Sequence, residues 1–255
     1  MRVMRACAVL LISACTAVGQ PPAGRLKFEV ASVKPHQGAV PEEGGRTEIS
    51  GRRLTIVFYS LLGLVMRAYD VKRDQVSSLT PLDETMYDIF AEGESGQDPT
   101  AGEFRTMLQA LLADRFKLKA HRETRDTPVY ALVVDKGGPK LRASAKGGEP
   151  ARTLGLKGVN YQVTMTNVNG DYLTDYIRGS AGLDRPVMNR TRLTGSYDLQ
   201  LTYTSEYRIN GAMLNGLEAI SIFEAVRDQL GLRLERKVAP YEFVVIDHAE
   251  KASEN

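Results

Sequence analysis

The 255-residue chain has no tryptophan, only three histidines and only two cysteines. Both cysteines, Cys7 and Cys15, fall within the first fifteen residues. Everything downstream therefore lacks the thiols for a disulfide, a thiolate metal site or a cysteine nucleophile. His36, His121 and His248 carry no His–x–x–x–His or Glu–His spacing, so metal binding is not expected. Each reads first as a structural or solvent-facing residue, with a general base as its functional alternative. There is no Walker loop and no Gly-x-Gly-x-x-Gly to cradle phosphate. A one-sided charge is missing too: 33 Lys and Arg stand against 31 Asp and Glu, and without Arg2 and Arg5 the two counts are equal. A neutral chain has no electrostatic case for nucleic acid. On these grounds no catalytic, metal or cofactor-binding residue is assigned, and no cofactor is expected.

The first twenty residues are expected to be a leader. Arg2 and Arg5, the short apolar run Ala6 to Ser13 and the small residues after it have the make-up of a secretory signal over 1–20. The run is too short to span a bilayer. Two exits are open. Ile12-Ser13-Ala14-Cys15 resembles a lipobox, with Cys15 as candidate lipidation site, and Ala17-Val18-Gly19 resembles an ordinary cleavage site. The expected location is exported: periplasmic, outer-membrane-attached or extracellular, with membrane contact only through the candidate lipid anchor.

The rest of the chain says one thing twice. Tyr87-Asp88-Ile89, an apolar helix, a basic alternating segment and Val133-Val134-Asp135 recur as Tyr197-Asp198-Leu199, a second helix, a second alternating segment and Val245-Ile246-Asp247. Thr100 to Glu103 and Ser221 to Glu224 make capping boxes before helices carrying Phe104, Met107 and Leu111, and Phe223, Val226 and Leu230. Alternation at 116–121 followed by Arg125-Asp126-Thr127-Pro128 predicts a hairpin returning through Val129 to Val134, and 232–235 with 241–245 predicts another. Phe58, Leu61, Leu62, Val65, Met66 and Tyr69 fall at helical spacing, and 37–48 reads as a loop. The expected fold class is α+β with two homologous repeats, each packing two helices on a small mixed or antiparallel sheet. The expected boundaries are lead-in 21–27, first repeat 28–143, linker 144–158, second repeat 159–249 and tail 250–255. The extra segment 204–220, with Gly211, Met213, Leu214 and Gly216, reads as a mobile loop or a lip over a groove.

Several blocks carry a family resemblance: Phe28 to Pro35, Met107 to Leu118, His121 to Thr124, Pro128 to Val134, Asp184-Arg185-Pro186-Val187, Leu193 to Asp198 and Val245 to His248. They resemble the secreted "soil-associated" paralogue family of unknown function. Relatives of that domain also lie behind membrane zinc peptidases of the antibiotic-sensor type, which implies extracytoplasmic sensing. The strand–helix–strand pattern is also similar to the short N-terminal domain of secretins and TonB-dependent receptors, a protein-contact module. The chain departs from the family at Ser77 to Asp83, where Ser77-Ser78-Leu79-Thr80-Pro81 replaces a Gly-Gly-Pro-x-Trp turn.

Candidate chemistry is thin. Arg178-Gly179-Ser180-Ala181-Gly182 has Arg where a nucleophile elbow needs Gly, so Gly179 and Gly182 read as helix-stop and turn residues. Asp88 and Asp198 are either paired acids for glycoside cleavage or carboxylates that satisfy turn amides. Arg115, Lys117, Lys119, His121 and Arg122 are either an acidic-partner site or a solvated strand face. The function expected is a non-catalytic exported binding or interaction module for an envelope protein or cell-wall component, of unknown oligomeric state. The alternatives are a secreted hydrolase with a cleft between the repeats and an envelope small-ligand sensor.

Overall fold

Alternating Phe28-Glu29-Val30-Ala31 begins strand β1 (Phe28–Pro35), the first element of a computed structural model that describes residues 26–94, 96, 98–145, 147–211 and 218–253. The expected leader with Cys15, most of the expected lead-in, Met213, Leu214 and Gly216 lie outside these residues. The chain divides into two compact units, one running to His121 and resuming at Ile246, the other spanning Arg122–Val245.

In the first unit, β2 (Arg46–Ser50), β3 (Arg53–Ser60), helix α1 (Leu61–Tyr69), β4 (Val76–Ser78), β5 (Met86–Gly93) and α2 (Ala101–Arg115) follow β1. The antiparallel sheet is ordered β1-β5-β3-β2. Val33, Ile56 and Ile89 are buried, as are Leu61, Leu64 and Val65 of α1 and Phe104, Leu108 and Leu112 of α2. The Thr100 hydroxyl accepts from the Glu103 amide while the Glu103 carboxylate takes the Thr100 N–H, which closes the capping box and holds the Glu103 carboxyl below its usual range.

Next come β6 (Lys119–Val134), β7 (Arg142–Ala143), β8 (Ala151–Lys157), β9 (Asn160–Val168), α3 (Gly170–Ser180), β10 (Val187–Asn189), β11 (Tyr197–Tyr203), α4 (Glu206–Gly211), α5 (Ile222–Leu230) and β12 (Leu232–His248). A second sheet runs β7-β11-β9-β8, and a third runs β10-β6-β12-β4, with β10 parallel to β6. The second unit's core joins Val163, Met165 and Leu201 of the sheet to Leu173 and Ile177 of α3 and Ala225, Val226 and Leu230 of α5.

The expected fold class is overturned. Among the described residues the fold is mostly sheet, 44% strand against 24% helix, in three four-stranded sheets with five helices, and not two helix-plus-sheet repeats. The physical reason lies in β6 and β12, each expected to be a hairpin and each in fact one unbroken strand of 16 and 17 residues. Arg125-Asp126-Thr127-Pro128 has turn composition, yet Arg125 stacks over Phe243 at 5.2 Å and Arg122 pairs with Glu242, so lateral contacts keep the backbone extended. Proline's fixed φ suits an extended chain wherever its missing N–H is not required, which admits Pro128 and Pro240. Other expectations shift as well. Phe58 belongs to β3 and not to a helix, β2 begins inside the expected loop 37–48, and β8 occupies the expected linker.

One local device occurs in both units. Phe58 in β3 and Asn167 in β9 take left-handed backbone, at φ 62° and 55°. The Phe58 N–H donates to Asp88 Oδ1 and the Asn167 N–H to Asp198 Oδ1, each at 3.0 Å. Two residues later Ser60 and Asn169 cap the following helices, accepting from the amides of Gly63 and Tyr172. Asp88 and Asp198 thus serve backbone amides, at bulges rather than turns. Asp198→Ala strands the Asn167 amide and should cost about 1–3 kcal/mol, read as a lowered urea midpoint. Asp198→Asn keeps an acceptor and should recover most of the loss.

Candidate functional site

Among the described residues the longest fully exposed strand of the second unit is β8. All seven of its residues are exposed, and among the described residues no strand lies beyond it. It enters β9 through a two-residue hairpin loop, Gly158-Val159, with Gly158 at φ 61° as a tight hairpin requires. Register places Arg152 opposite Met165, Leu154 opposite Val163 and Leu156 opposite Tyr161. Directly opposed residues share a face. The face that is sealed at Met165 and Val163 therefore runs out to Leu154 and Leu156, which are 57% and 56% exposed. Thr153, Gly155 and Lys157 oppose Thr164, Gln162 and Asn160 on the other, polar face.

The interior side of that face is closed by aromatics. Tyr176 and Tyr203 are buried and share a hydroxyl–hydroxyl hydrogen bond of 2.8 Å, and burial pushes both phenols above their usual range. Arg152 stacks over Tyr176 and Arg208 over Tyr161. Guanidinium–aromatic stacking holds these cations beside an apolar surface without burying their charge. The β8 margin offers an apolar row, a polar row, backbone groups that meet no further strand among the described residues and a basic residue near each end. That combination suits main-chain pairing with an extended segment.

Segment 204–220 is fastened where it is described. The Thr204 hydroxyl donates to Asn160 Oδ1 at 2.6 Å, the Glu206 N–H to the Ala181 carbonyl at 2.7 Å, and the Asn160 amide group to the Glu218 carbonyl at 2.8 Å. Gly182, at φ 71°, sits against the Tyr207 ring and fits the turn role. Gly179 lies inside α3, whose C-cap is Ala181, so it is not a helix stop.

The histidines are dispersed over three pairs. His121 Nδ1 lies 2.8 Å from Asp247 and His248 Nε2 lies 2.9 Å from Glu250, with both imidazoles about half exposed. His36 is different: only 12% exposed, it places Nδ1 2.9 and 3.0 Å from the two Asp88 oxygens and packs edge-on to Phe58. The hydrogen bond to Asp88 raises the His36 pKa despite desolvation. Within the basic segment Arg115 meets Asp114, Lys117 caps the Asp114 carbonyl, and Arg122 meets Glu242, an arrangement suited to a solvated face.

Blocks that carried the resemblance meet in one clamp. The Tyr130 N–H donates to the Pro186 carbonyl at 2.8 Å, its hydroxyl donates to Asp184 at 2.9 Å, and Arg185 lies over its ring. The Tyr130 hydroxyl lowers the Asp184 pKa. Sequence reasoning missed β8 as an edge, although Leu154 and Leu156 alternating around a Gly-Val loop toward Tyr161, Val163 and Met165 is a hairpin signal.

Because its folded pKa is raised, His36 contributes stability that is fully present below its unfolded pKa of about 6.5 and is lost as pH rises through the folded value. The calorimetric gap in melting temperature between the native chain and His36→Gln should be widest in mild acid and shrink to a constant remainder in mild alkali. A gap that is flat across that window would contradict the pair's role.

Among the described residues no helix is long and apolar enough to cross a membrane. No curated protein and no solved structure matches the chain. Residues 63–249 match the family model described as "Protein of unknown function (DUF3738)", and the chain belongs to that family.

Proposed function

We propose that this protein is an exported, non-catalytic binding module that takes an extended segment of an envelope protein along β8. The observation that carries the reading is the fully exposed β8 edge, with Leu154 and Leu156 continuing the core face outward. A sheet margin of this kind supplies affinity through main-chain hydrogen bonds and selectivity through alternate side chains. Arg152 and Lys157 favour a partner strand with acidic residues near its ends, apolar residues toward Leu154 and Leu156, and polar ones on the other face. Export rests on the charged and apolar leader and on the resemblance to secreted paralogues. The resemblance to secretin and TonB-receptor modules supports a protein partner over a cell-wall polymer.

The hydrolase alternative draws on His with Asp or Glu. His121 and His248 lie open to solvent beside their carboxylates, and Asp88, the partner of His36, is already spent on the Phe58 amide. These pairs favour the binding reading.

A photo-crosslinker placed at Thr153 in the native host should yield one dominant envelope-protein adduct. Leu154→Lys with Leu156→Lys should abolish that adduct, since charges on the apolar row of an edge block strand addition. Both positions are exposed, so the unfolding free energy should change by no more than about 0.5 kcal/mol. An adduct that survives the double substitution would overturn the assignment to β8.

A further inference from the structure

The first unit holds an open groove of about 460 Å³ between the inner face of β2–β3 and helices α1 and α2. Its floor is Ile49, Leu54, Ile56, Phe104 and Leu108, and Met66 lines it from α1. One wall is the Tyr59 ring, gripped so closely by Gly45 and Gly63 that a Cβ at either would fall within 2.8 Å of it. Arg67 lies over that ring at 5.0 Å and donates to the Tyr59 hydroxyl at 2.7 Å. Arg67, Lys72 and Arg105 also line the groove, against one carboxylate among the described residues, Asp70, which pairs with Arg105. The lining is therefore apolar at the bottom and net cationic above.

A second observation points to an occupant. The Thr47 hydroxyl, also in the lining, is shut off from solvent yet has no hydrogen-bond partner among the described residues. A buried hydroxyl in that state carries an unrecovered desolvation cost, which rotation of the Thr47 side chain toward a polar group in the groove would relieve. The volume lies inside the ordinary range for small-molecule sites. A groove of that size suits one medium-length chain with its headgroup.

We propose that this groove binds a single-chain fatty carboxylate, with the alkyl chain along Ile49, Leu54, Phe104 and Leu108 and the head among Arg67, Lys72 and Arg105. The planar forks of two arginines match a planar carboxylate. The groove and the β8 margin belong to different units, so this site stands or falls separately from the strand-binding reading.

Calorimetric titration of the mature chain tests it with four probes: dodecanoate, dodecyl phosphate, dodecyltrimethylammonium and acetate. Dodecanoate should bind saturably at one per chain, acetate should give no signal, and the cationic probe should bind at least tenfold more weakly. Arg105→Gln should weaken dodecanoate at least tenfold. Ile49→Glu should do the same from a half-exposed edge position where the fold tolerates charge, with thermal melts showing both variants folded. No saturable binding, equal binding of the cationic probe, dodecyl phosphate tenfold tighter than dodecanoate, or unchanged affinity in folded variants would each overturn the proposal.

Discussion

A four-stranded sheet with strands about 4.8 Å apart presents more inner face than the helices packed on it seal, and in each unit the uncovered strip falls on an edge strand. In the first unit α1 and α2 bury Val33, Ile56 and Ile89, while Ile49 on β2 stays half exposed. In the second, α3 and α5 bury Val163, Met165 and Leu201, while Leu154 and Leu156 on β8 do not share that cover. The two strips are finished differently. Beside β2 the space stays open under arginines, whereas near β8 Arg152 and Arg208 lie on Tyr176 and Tyr161. One strip therefore becomes a groove and the other a margin of backbone.

The position of the helices is set by the carboxylates beneath them. Asp88 and Asp198 each hold the amide of a left-handed residue, and a cap two residues later starts the helix that leans on the sheet. An extra residue at such a bulge bends the strand and redirects the chain beyond it. Residues that looked like candidate acids thus shape the uncovered strips indirectly. His36 adds to this in the first unit, tying the end of β1 to Asp88 and packing on Phe58.

Local signals were legible where chemistry alone decides them. The Thr100–Glu103 capping box, the buried face Phe104, Met107, Leu108, Leu111 and Leu112, and strand β1 are all present. Misreadings arose where tertiary contacts override composition. Arg125 to Pro128 carries turn residues but runs straight, because Arg125 and Arg122 find partners at Phe243 and Glu242. Phe58 falls at helical spacing with Leu61 and Leu62 only because β3 runs directly into α1. Neither uncovered strip was readable, since Thr47 and Ile49 sit on a five-residue strand inside a Gly-rich stretch and β8 lacks the apolar density of a buried strand. Openness depends on which groups pack against a residue, and periodicity does not encode it.

The most direct test of an uncovered margin is residue-resolved amide hydrogen exchange along β8 and β9 in the isolated protein. Alternate amides between Ala151 and Lys157, those turned away from β9, should exchange as fast as exposed loops, while the amides of Val163 and Met165 stay strongly protected. Uniform protection along β8 would mean that the margin is already covered, and would contradict the account.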